Sequence, residues 1–195
     1  FSDIFEKIIG IRGVVSESSH ILRSFLSSGS RKESIEYAQR NLRQLVELSD
    51  STSQNLFTEI ASFMEQLGGT DPDFHTQFVI TSDIRRSSNW EVIAGLSEKV
   101  ALSLQGLLQG LNRFRISLES LPLNNSNFAD GICAETIAVS DDITQIQTVI
   151  SQMLLNPDDE MVYWFEQLDS ENFSIHAAPL HVGVILKEHL FQEKN

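Results

Sequence analysis

Apolar residues recur every three or four positions along most of the chain, and that spacing predicts four long helices. The first covers about residues 2–27, with Ile4, Ile8, Ile11, Val15, Leu22 and Phe25 on one stripe. Ser27-Ser28-Gly29 ends it. The second opens at Ser30-Arg31-Lys32-Glu33, a capping box in which the serine hydroxyl and the Glu33 carboxylate satisfy free amides of the first turn. Its stripe is Ile35, Ala38, Leu42 and Leu45, then Leu56, Ile60, Phe63 and Leu67. Ser49 and Thr52 interrupt the seam and predict weaker packing or a kink there. Gly68-Gly69 stops the helix. The third starts with a second capping box, Ser88-Asn89-Trp90-Glu91. Its seam runs through Val92, Leu96, Val100, Leu104, Leu107, Leu111, Phe114 and Leu118. The fourth runs from about Phe128 to Leu155, with Phe128, Ile132, Val139, Ile143, Ile146, Ile150 and Met153 on one face.

The period changes in two places. Residues 70–88 read as a non-helical insert: Asp71-Pro72-Asp73 is turn chemistry, and Phe78-Val79-Ile80-Thr81 reads as a short strand. After Asn156-Pro157-Asp158-Asp159, residues 161–177 read as a hairpin, with Trp164 a core residue and a polar turn at Asp169-Ser170-Glu171-Asn172. A short helix follows near Ile185–Phe191. Each amphipathic helix must bury one stripe, so the expected fold is mainly α. It is an antiparallel bundle of four long helices over 2–155, with a small hairpin and a short C-terminal helix. The expected division is a helical unit over 1–158 and a hairpin-plus-helix unit over 159–195. A two-stranded hairpin is marginal in water, so this one must lean on the bundle or join further strands. Its open edge is also a route to dimerisation.

Composition narrows the class. At 195 residues and 41% hydrophobic, the chain can bury a real core, and 21% charged residues fit a folded domain. No apolar run has the length of a membrane span. The chain begins at Phe1 with no basic and apolar leader, as a piece of a longer protein would. A single cysteine, Cys133, forms no internal disulfide and fits a cytoplasmic setting, where it reads as a small core residue.

Charge is uneven. The net charge of −13 repels nucleic acid overall. Between Arg115 and Lys187 there is no Lys or Arg. Basic residues gather at Arg31 and Lys32, at Arg40 and Arg43, at Arg85 and Arg86, and at Arg113 and Arg115. The candidate DNA contacts are therefore Arg31, Lys32, Arg85, Arg86, Arg113 and Arg115. Trp90 joins them as a stacking platform beside Arg85 and Arg86. The bland alternatives are solvated helix faces for the cations and a bundle-end cover for Trp90.

No catalytic constellation is legible. There is no G-x-x-x-x-G-K-[ST] loop and no D-E-A-H quartet. Gly106 and Gly110 have G-x-x-x-G spacing, which in this setting means close helix packing. His176, His181 and His189 have only Glu188 nearby as a further ligand, too little for a metal site.

One stretch carries a family likeness. Val162-Tyr163-Trp164-Phe165-Glu166, the turn, Phe173 to Gly183 with its Ala177-Ala178-Pro179-Leu180-His181-Val182-Gly183, and Ile185 to Phe191 together read "strand, turn, strand, A-A-P-L-x-V-G, short helix". This resembles a segment of the DinG family of DNA helicases, relatives of XPD in superfamily 2. His181 stands where that family usually has an acidic residue. In the family the segment leads from the helical arch back into the first motor domain, before an S-A-T motif that this chain does not reach. The resemblance covers residues 161–191. It implies a non-catalytic arch fragment of an ATP-dependent 5′ to 3′ helicase of DNA repair or replication. The arch forms part of the wall of the single-strand channel. ATP and Mg belong to the parent, and the fragment itself needs no cofactor. The implied partners are single-stranded DNA and the motor domains in cis, with no membrane. Two other classes fit parts of the pattern. One is a helical scaffold that binds another protein. The other is a histidine phosphotransfer bundle, for which Ser19-His20-Ile21-Leu22-Arg23-Ser24 is a loose match.

Overall fold

Leucine-rich spacing of alternately three and four residues sets the frame. In α1 (Ser30–Gln66) the buried seam is Gln39, Leu42, Val46, Ser49, Ser53, Leu56, Ile60 and Phe63, with Met64 buried beside it. In α3 (Ser88–Glu119) they include Trp90, Ile93, Ser97, Val100, Leu104, Leu107, Leu111, Phe114 and Leu118. That alternation keeps a seam on one side of each helix over its whole length, which is the coiled-coil pattern. The helices run antiparallel. Asn89 Nδ2 donates to Gln66 Oε1 at 2.9 Å at one end, and Leu42 and Leu45 lie against Gly110 toward the other. The computed structural model describes residues 30–68, 76–119, 126–167 and 173–180.

Gly68, at φ +100°, carries the chain out of α1. β1 (Thr76–Val79) and the four-residue α2 (Ser82–Arg85) follow. Ser87 Oγ accepts from Trp90 N at 3.2 Å, so Ser87, not Ser88, caps α3. α4 (Ser126–Ile150) packs on α3, tied by Gln147 Nε2 donating to Ala101 O at 2.8 Å. It ends in a π-helical turn, Ser151–Leu155, closed by Asn156 N on Ser151 O at 2.7 Å. β2 (Met161–Gln167) and β3 (Phe173–Pro179) complete the described chain.

The expected bundle of four long helices is not what forms. The described residues hold four helices, of which α2 has only four residues, beside a three-stranded antiparallel sheet of order β1-β2-β3. The physical reason is the hairpin's second edge. The insert strand pairs with β2 in the register Thr76↔Gln167 to Val79↔Trp164, and Ile80 N extends the ladder to Tyr163 O at 2.8 Å. The sequence predicts a lone short strand in the insert; in the fold it supplies the third strand that a marginal hairpin lacks. The helix expected over 2–27 and the short helix near 185–191 lie outside the described residues. So do the turn at 169–172, His20, His181 and His189.

The strand phase also differs from expectation. Tyr163 and Phe165 point into the core, paired with Ala177 and Ile175, while Trp164 lies on the opposite face against His176. The sheet thereby closes one end of the helical core. The sheet draws strands from both sides of residue 158, so the two expected units share one apolar cluster in which Phe165, Trp90 and Phe63 meet.

Polar residues occupy the middle of the α1–α3 seam. α1 runs through them as one helix. Thr52 and Ser103 share a hydrogen bond at 3.0 Å, and Ser97 Oγ donates to Ile93 O at 2.8 Å. Ser49 and Ser53 are 0% and 1% exposed, and their hydroxyls have no hydrogen-bond partner. A buried unpaired hydroxyl costs about 1–3 kcal/mol. Ser49→Ala with Ser53→Ala is therefore expected to stabilise the fold by about 1–2 kcal/mol. The readout is a higher urea midpoint at unchanged slope. A lower midpoint would show that the hydroxyls find partners in solution.

Candidate nucleic-acid interface

Arg85 and Trp90 meet at the closed end of the fold, and both face inward. Thr81 caps α2, its Oγ1 accepting from Ile84 N at 3.3 Å, and this turn aims Arg85 at the end of the π turn. There the guanidinium donates to Met153 O at 2.9 Å and Leu154 O at 3.3 Å. Its Cζ lies 4.8 Å from the Trp90 ring centroid and 5.2 Å from that of Tyr163. Burial lowers the Arg85 pKa below its ordinary value, with the Tyr163 hydroxyl acting the other way. Arg85 stays charged throughout the ordinary pH range all the same. Trp90 is 3% exposed, set edge-on to Phe63 at 6.1 Å and tilted to Phe165 at 6.3 Å. Neither side chain presents itself to a DNA strand. Arg86 is open to solvent, with a long contact to Asp83 at 3.5 Å that carries little energy.

The remaining candidates fall at the far end of the α1–α3 pair. Arg31 and Lys32 occupy the first turn of α1; their side chains lie outside the description. Arg115 is held by Glu119 and by Asn112 Oδ1, the latter at 2.9 Å. Arg113 is exposed and lines a groove of about 590 Å³ with Glu33, Tyr37 and Asn41 of α1 and Gly110 and Ser117 of α3. Glu33, Tyr37 and Asn41 are four apart, with Ala38 beside them, and Arg113 and Ser117 of α3 are four apart, so each helix offers one face to the groove. Sequence reasoning missed Tyr37. Its signal was an aromatic residue beside the apolar stripe rather than on it, and it is 68% exposed.

Gly110 explains the tight helix pairing here. A Cβ added to it would stand 2.6 Å from Leu45 Cδ1. The G-x-x-x-G spacing is thus a close-packing device, as its sequence context implied. Cys133 is partly buried against the core, as expected of a small core residue.

The outer face of the sheet gathers polar groups. His176 Nε2 lies 3.0 Å from Glu166 Oε2 and 2.7 Å from Ser174 Oγ, and its ring stacks on Trp164 at 5.2 Å. Gln77 Nε2 donates to Glu166 Oε1 at 3.2 Å. A nucleophilic serine triad needs serine and carboxylate on opposite ring nitrogens. Here both approach Nε2, so the group is a cross-strand polar network rather than a catalytic one. Among the described residues no three His, Cys, Asp or Glu side chains converge as a metal site. No described helix is long and apolar enough to cross a membrane. No family model, curated protein or solved structure matches the chain.

Proposed function

We propose that this chain is the arch region of an ATP-dependent 5′ to 3′ DNA helicase acting in repair or replication, and that it forms part of the wall of the single-strand channel. The observation that carries the reading is the hairpin. The described residues of the stretch that resembles the DinG segment form two antiparallel strands, in the register Met161↔Pro179 to Gln167↔Phe173. β3 runs through Ala177 and Ala178 and ends at Pro179, within the Ala-Ala-Pro-Leu stretch. The long α1–α3 pair extends away from the sheet, as a wall element joined at one end would.

ATP, Mg and the motor domains enter with the parent. This chain's part is to hold a shape beside the strand. The full-length gene product is expected to separate a duplex carrying a 5′ single-stranded tail, in the presence of ATP and Mg. The residues 1–195 alone are expected to hydrolyse no ATP, because they carry no phosphate-cradling loop. A gel assay of strand separation checks the first and phosphate release the second. A full-length product with neither ATP hydrolysis nor strand separation would sink the reading.

A further inference from the structure

We infer that the groove between α1 and α3 at the end remote from the sheet seats one unpaired base of single-stranded DNA. This rests on the proposed function for the choice of ligand, and on the groove itself for the chemistry.

Tyr37 supplies a stacking face. The residue is 68% exposed at the groove wall, and a rigid aromatic face accepts any base at small entropic cost. The opposite wall is α3, brought close because Gly110 has no side chain to hold it away. The volume of about 590 Å³ falls in the range of small-ligand sites and holds a nucleoside with room to spare.

The polar groups divide between base and backbone. Arg113 is exposed at the groove wall, where its guanidinium can meet a phosphate. Asn41 offers an amide donor and an acceptor to a base edge. Glu33 offers only acceptors and repels phosphate. It fits an exocyclic amine, as a carboxylate fits the amino group of cytosine. A base with an amino group is therefore favoured over thymine.

Local charge favours the site as well. Six of the chain's 14 basic residues, Arg31, Lys32, Arg40, Arg43, Arg113 and Arg115, belong to this end of the pair. The same stretches carry Glu33, Glu36 and Glu119, and the first turns of α4, antiparallel to α3, add Asp130 and Glu135 at this end. Basic and acidic residues thus nearly balance at this end of a chain whose net charge is −13, so a strand meets less repulsion here than over the acidic remainder.

The test is fluorescence anisotropy of residues 1–195 with labelled short homopolymers of deoxycytidine and thymidine across a salt series, with thermal melting of each variant. Salt-sensitive binding is expected, tighter for deoxycytidine. Tyr37→Ala should weaken it about tenfold, the loss of one stacked base, while Tyr37→Phe should retain it. Arg113→Ala should weaken binding to both polymers and lower the salt slope by about one phosphate. Glu33→Gln should narrow the preference for deoxycytidine. All these side chains lie at the surface, so melting temperatures should hold. The inference is overturned if the wild-type chain binds neither polymer at low salt. It is equally overturned if Tyr37→Ala and Arg113→Ala bind like wild type. Strand separation by the full-length product reads the helicase proposal on its own. Unwinding with an inert groove removes only this inference, and a binding groove in a product that hydrolyses no ATP removes only the helicase.

Discussion

Trp90→Ala is expected to lower the unfolding free energy by about 3–5 kcal/mol, the usual range for removing a buried large aromatic. Trp90 is 3% exposed and joins three layers at once. Its ring meets Phe63 at the end of α1 at 6.1 Å and Phe165 on the sheet at 6.3 Å. Arg85 covers another side at 4.8 Å. These partners sit on separate elements and cannot collapse together into the space that Ala would leave. For a chain of this size, such a loss lowers the melting temperature by about 10 °C. Val92→Ala is the matched control. Val92 is 49% exposed, so its truncation should cost within about 0.5 kcal/mol. Urea unfolding of both variants reads the difference. Equal costs would mean that Trp90 does not join helix pair and sheet.

That pair of residues also shows how far the sequence could be read. Val92 belongs to the seam by simple spacing, and Ile93 belongs to it in the fold, at 0% exposed. The existence, length and direction of the α1–α3 pair were legible, because apolar spacing near three and a half persists over many turns. The rotational phase was less so, since Ser49, Ser53 and Ser97 hold core positions that hydropathy assigns to the surface. The same limit shows in β2. Val162-Tyr163-Trp164-Phe165 is apolar at every position, so alternation could not say which pair faces inward, and a one-residue slip exchanges the faces. Tyr163 and Phe165 win because they meet Trp90 and the helix ends. The third strand was out of reach for another reason. Phe78-Val79-Ile80-Thr81 reads as a short strand, two residues beyond β1 at Thr76–Val79, and the partner of β1 lies some ninety positions away, at Gln167 to Trp164. No local pattern encodes that pairing. Among the candidate contacts, Arg85 and Trp90 carry the residue types of a stacking platform, yet they are spent inside the fold. Residue type alone does not distinguish a cation facing a phosphate from one facing the carbonyls of a helix end.

Arg85 makes that distinction measurable. The last carbonyls of a helix have no intrahelical donor, and those of Met153 and Leu154 are met by the two arms of one guanidinium, at 2.9 and 3.3 Å. Two hydrogen bonds from a charged group contribute about 1.5–3 kcal/mol each at full burial, and less where solvent reaches them. The guanidinium also lies over both the Trp90 and Tyr163 rings, which adds packing that its stem alone would not give. Arg85→Met keeps the stem and removes the fork, and is expected to cost about 2–4 kcal/mol. Arg85→Lys should recover only part of this, since an ammonium reaches one carbonyl well and does not stack as a plane. Arg86→Ala, one residue on, should cost no more than about 0.5 kcal/mol, because the side chain stands in solvent with a long contact to Asp83. Urea midpoints give the stabilities, and amide exchange at Asn156 reports the π turn directly. The same Arg85→Met protein should leave the salt slope of oligonucleotide binding unchanged, because no phosphate reaches that guanidinium. If instead Arg85→Met and Arg86→Ala match in stability while Arg85→Met loses a phosphate's share of the salt slope, Arg85 faces the strand and the clamp at the end of α4 is not what holds it.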